Sequence, residues 1–112
     1  MNQMSAQGVL RFSERRAAPR FPVRMPVKVR DREGRVTEAM AINISTGGML
    51  IAPAQEHVAP GGELALDIGD VAHGVMARVA GHRKQGTGLQ FVDAHEGERL
   101  ALTLSELAQR SA

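Results

Sequence analysis

With 112 residues, 43% of them hydrophobic and 23% charged, the chain has the composition of one globular domain with a modest core, not that of a disordered, collagen-like or membrane-embedded protein. Three Phe are its only aromatic residues and cysteine is absent, which excludes disulfides, thiolate metal sites and a Cys nucleophile and leaves the core to aliphatic side chains and Met. The net charge of +2 hides an asymmetry: residues 1–35 carry nine basic and three acidic side chains, residues 36–112 five basic and nine acidic.

Residues 1–10 have no usable periodicity, and 1–12 are expected to form a flexible tail ahead of a single domain over 13–110. The nearest thing to a leader there is Val9-Leu10, far short of a signal peptide or a spanning helix, so no membrane insertion and a cytoplasmic location are expected. From Ser13 to Pro22, Pro19 and Pro22 oppose a helix and predict a charged loop. Val23, Met25, Val27 and Val29 then alternate with Arg24, Lys28 and Arg30, the period-two pattern of a half-buried strand, and Asp31 to Gly34 supplies a turn.

The next strand is predicted over Val36 to Ile44, with Val36, Met40, Ile42 and Ile44 on one face and Thr37, Ala39, Ala41 and Asn43 on the other. It ends at Ser45-Thr46-Gly47-Gly48, and a short strand from Met49 to Ala52 is closed by Pro53. Pro60-Gly61-Gly62 marks a turn before Leu64, Leu66 and Ile68. Val75, Ala77 and Val79 predict a fifth strand, ending before a polar stretch from Gly81 to Gln85, and Gly86 to Val92 a sixth. After Asp93 the period changes: Leu100, Leu104 and Leu107, with Ala101 and Ala108, share one side of a helix. The fold class is therefore all-β, a six-stranded antiparallel β-barrel with a C-terminal α-helix and a flexible basic N-terminal arm.

Two constellations carry chemistry. Arg15, Arg16 and Arg20 lie in the proline-bounded loop, and twelve of the fourteen basic residues are Arg, the side chain suited to bidentate recognition of phosphate and guanine. Asn43-Ile44-Ser45-Thr46-Gly47-Gly48 places a polar side chain and a hydroxyl two residues apart, on one strand face, just before paired glycines. Together they resemble the PilZ family of bacterial cyclic di-GMP receptors, whose signatures are R-x-x-x-R, matched at Arg16 and Arg20, and [DN]-x-S-x-x-G, matched at Asn43, Ser45 and Gly48. The resemblance covers about residues 13–108 and includes a glycine-flanked last strand and a closing helix, here Gly86 to Val92 and Glu96 to Gln109.

The resemblance implies ligand binding by Arg15, Arg16, Arg20, Asn43, Ser45, Gly47 and Gly48, with Arg15 favouring two stacked, intercalated ligands over one. It implies no catalysis, no cofactor beyond the cyclic di-GMP ligand, and relay of the signal to a downstream partner protein. The chemistry agrees with the residue types: Arg pairs with guanine O6 and N7 or with phosphate, Asn43 can accept from a guanine donor, Ser45 can donate, and glycines admit close approach. A different reading makes the basic segment an electrostatic surface for nucleic acid or an acidic protein, with a steep salt dependence and no preference for the cyclic dinucleotide. A third is an adaptor of the same fold that binds only protein. His57, His73, His82 and His95 have no metal-ligand spacing and are expected at the surface, while Met40, Met49 and Met76 are expected to fill the core.

Overall fold

The computed structural model describes residues 20–111. Its strands are β1 (Phe21–Arg30), β2 (Val36–Ile44), β3 (Gly48–Ala52), β4 (Glu63–Ile68), β5 (Ala72–Arg83) and β6 (Gly86–Phe91), followed by one helix, α1 (Ala94–Ser111). Every pairing is antiparallel and the sheet closes on itself in the order β1-β2-β3-β6-β5-β4, as the six-strand pattern requires. Closure removes the free edges that so short a sheet would otherwise expose.

Inside lie Val27 and Val29 of β1, Leu64, Leu66 and Ile68 of β4, and Val75, Ala77 and Val79 of β5, all close to fully buried. Leu100, Ala101 and Leu104 of α1 join the same cluster, so the helix covers the core with the side its periodicity marked. Asp93 caps the helix: its carboxylate accepts from the His95 and Glu96 amides at 2.9 and 3.2 Å.

Several expectations change. Phe21 and Pro22 belong to β1, not to a loop, because a proline is tolerated at a strand's start, and an irregularity in pairing follows it before Met25. In β2 the inward residues are Ala39, Ala41 and Ile44, while Val36, Met40 and Ile42 are exposed. A bulge between Ala41 and Asn43 resets the alternation there, so Ile44 does not share a face with Met40 and Ile42. Small alanines fit the crowded interior. Met40 and Met76 are thus surface residues, and only Met49 of the three methionines fills the core. A further irregularity, between Val79 and Gly81, carries β5 on to Arg83 through the stretch expected to be polar loop.

At the end of the barrel where β2 begins, the β3–β4 connection is pinned by buried polar groups. The fully buried Thr87 hydroxyl accepts from the Gln55 amide at 2.7 Å, and the Gln55 side chain accepts from Thr37 at 2.9 Å. His82 is half-buried and bonded at both ring nitrogens, contrary to its expected surface position. The Val58 carbonyl at 2.8 Å can only accept, so Nε2 carries the proton and Nδ1 takes the Thr87 hydroxyl hydrogen at 2.9 Å.

Candidate functional site

The opposite end of β2 holds the residues that the motifs single out. Asn43 is the last half-buried residue of the strand and faces Pro22 of β1 on one side and Leu50 of β3 on the other. Its neighbours Ala41 and Ile44 point inward, so alternation across the bulge turns Asn43 outward. Arg20, exposed and immediately before β1, donates from Nη1 to Asn43 Oδ1 at 2.8 Å. A guanidinium has no acceptor, which fixes the amide orientation: the oxygen meets Arg20 and the NH2 faces away. The first motif and the second therefore meet directly, and Asn43 acts on Arg20 by orienting it.

Ser45 lies past the strand's end and is buried, so it does not stand beside Asn43 on a strand face. Its hydroxyl accepts from the Gly47 amide at 3.3 Å and its own amide donates to the Gly48 carbonyl at 2.8 Å, which ties the β2–β3 turn into one conformation. The Gly47 carbonyl in turn accepts from the Phe91 amide of β6 at 2.9 Å. Gly48 packs against the sheet itself: a Cβ there would run into the Leu89 carbonyl oxygen of β6. A Cβ on Gly47 would meet nothing within 4 Å. From the other side the first turn of α1 presses on the same loop, since a Cβ on Gly97 would strike the Thr46 carbonyl oxygen. The polar hexapeptide is thus clamped by β6 and α1, and its effect is to hold Asn43 in place.

Arg15 and Arg16, the expected N-terminal tail and most of the basic arm lie outside the described residues. Arg20 is the one signature arginine within them. The outward row that contains Asn43 continues across the sheet through Leu50 to Gly88 of β6 and Gly81 of β5. An apolar cavity of about 340 Å³ between β1 and α1, lined by Pro22, Val23, Met25, Leu104 and others, lies beyond this row and does not include Asn43. Among the described residues no group of His, Asp and Glu side chains could hold a metal ion, and no helix is long and apolar enough to cross a membrane.

The PilZ domain family model matches residues 14–105, most of the chain. The chain belongs to the PilZ domain family. Among solved structures it resembles the PilZ domain of YcgR from Escherichia coli, described with c-di-GMP, with a TM-score of 0.63 and 14% identity over 87% of this chain and 96% of that one. At that identity the likeness speaks to the shared fold. No curated protein matches the chain. As a PilZ domain it keeps Asn at the first position of the second signature, where the amide oxygen serves Arg20.

Proposed function

We propose that this PilZ domain is a cytoplasmic receptor for cyclic di-GMP, held between Arg15, Arg16 and Arg20 and the turn from Asn43 to Gly48. The observation that carries the reading is the 2.8 Å bond from Arg20 to Asn43, which joins the two signatures on one outward face. The YcgR domain, a structural neighbour, is described with c-di-GMP, and that supports the same ligand class here.

Among the described residues Arg20 commits one of its five N–H donors, to Asn43, and Asn43 adds two amide hydrogens to the same edge. Guanine O6 and N7, and the phosphate oxygens, are acceptors that such a fork suits. Gly47 leaves the turn open to a ligand, while Ser45 and Gly48 serve by fixing the turn. Residues 13–110 act as the receptor domain and 1–12 as its tail. Neutralising the arginines by two phosphates changes the surface on offer and relays the signal to a partner protein. Binding, not turnover, is its task.

Isothermal calorimetry with cyclic di-GMP tests the reading. The unaltered chain should release heat, and Arg16→Ala and Arg20→Ala should abolish it while leaving the melting curve unchanged. Binding that survives in both variants, or that linear guanine nucleotides or duplex DNA match in competition, would favour the electrostatic surface, for which exposed Arg24, Lys28 and Arg30 of β1 supply charge.

A further inference from the structure

We propose that Arg83 is a second ligand-binding residue on this outward face, its guanidinium stacking on a guanine of the bound dinucleotide at the far side from Arg20. The inference rests on the receptor reading above and adds a contact that neither signature contains.

The guanidinium of Arg83 lies over Gly88: a Cβ at Gly88 would be 3.5 Å from both its Cζ and its Nη2. Directly across the β5–β6 ladder, Gly88 is paired with Gly81, where a Cβ would meet nothing within 4 Å. Two glycines facing each other within a sheet forgo cross-strand side-chain packing and admit a close approach to the backbone; Gly88 is buried with the Arg83 guanidinium over it, while Gly81 is half-buried. Here the result is a side-chain-free pair of backbone positions with one planar cation resting on Gly88.

Among the described residues that cation has no ion-pair partner. Arg78, on the same strand, pairs with Glu63 at 3.6 Å, whereas no carboxylate among the described residues pairs with the exposed Arg83. Gly88 stands two strands from Asn43 along the row Asn43, Leu50, Gly88, a distance of roughly 10 Å at the usual strand spacing. A ligand with two guanines can place one at Arg20 and Asn43 and still reach the paired glycines. Arginine suits the second position better than lysine because its guanidinium is planar, weakly hydrated and stacks on π-faces.

The test is calorimetry with cyclic di-GMP on the full chain and on Arg20→Ala, Arg83→Ala and Arg83→Lys, with thermal melts of each. Arg83→Ala should melt with the unaltered protein and bind about tenfold more weakly, the loss of one base-stacking contact. Arg83→Lys keeps the charge without the plane and should stay weakened. Full affinity in Arg83→Lys would overturn the stacking role, and full affinity in Arg83→Ala beside a silent Arg20→Ala would overturn the inference while leaving the receptor reading intact. Absence of heat from the unaltered protein would overturn the receptor reading itself, and this inference with it.

Discussion

Replacing Gly48 by alanine puts a methyl group where the Leu89 carbonyl oxygen of β6 now sits, with the carbonyl carbon at 3.1 Å and Gln90 Cα at 3.4 Å. All three are backbone atoms of a paired strand, so relief requires β3 and β6 to separate rather than a side chain to turn. Overpacking of this kind costs about 1–3 kcal/mol, and the upper end applies because the obstacle is backbone. A domain of this size loses roughly 4–8 °C in melting temperature per kcal/mol, so the expected fall is on the order of 10 °C or more. Gly47→Ala is the control: its Cβ meets nothing within 4 Å and its φ is not positive, so the variant should melt with the parent or slightly above it. Differential scanning calorimetry of the two variants without ligand reads both. Should Gly48→Ala melt like the parent, or should Gly47→Ala prove equally harmful, the steric account of the motif glycine is wrong.

Thr87→Val preserves shape but leaves the Gln55 amide and the half-buried His82 Nδ1 without their partner, and the buried Gln55 orphan alone costs about 1–3 kcal/mol. The urea midpoint should fall with the slope unchanged. Asn43→Ala removes the oxygen that orients Arg20 and should weaken cyclic di-GMP binding by about five- to tenfold, less than Arg20→Ala does, with little change in stability because the bond is exposed. Calorimetry on the two variants side by side decides the order.

Much of this fold was legible because alternation and turn residues act locally. Val36 to Ile44 and the strand carrying Leu64, Leu66 and Ile68 stand where their patterns put them, and so does the helix bearing Leu100 and Leu104. What misled was phase. In β2 both faces carry apolar residues, and the bulge beside Ile42 swaps them, so Ala39 and Ala41 fill the interior while Met40 and Ile42 meet solvent. No local pattern distinguishes an inserted residue from a regular one. The irregularity near Gly81 hid the end of β5 in the same way.

The candidate site divides along similar lines. Arg20 and Asn43 could be paired from the two signatures because the residue types themselves suit the ligand. That Gly48 answers to Leu89, and that Arg83 lies over Gly88, depends on which strands become neighbours, which nothing near either glycine specifies. The link from Thr87 to Gln55 spans 32 positions and was invisible for the same reason. A recurrence of glycine at 81, 86 and 88 was the one available signal, and it names no partner.

The claim on which the functional account turns is that the arginine arm and the end of β2 grip one ligand on the outward face of the barrel. A proton–nitrogen NMR titration with cyclic di-GMP tests it residue by residue. The amides of Arg20, Asn43, Leu50 and Gly88 should shift together and saturate at one ligand ratio, while those of Leu102 and Glu106 on the exposed side of α1 stay still. Shifts confined to α1 or to the Gln55 and Thr87 end of the barrel, with Arg20 and Asn43 unmoved, would contradict it.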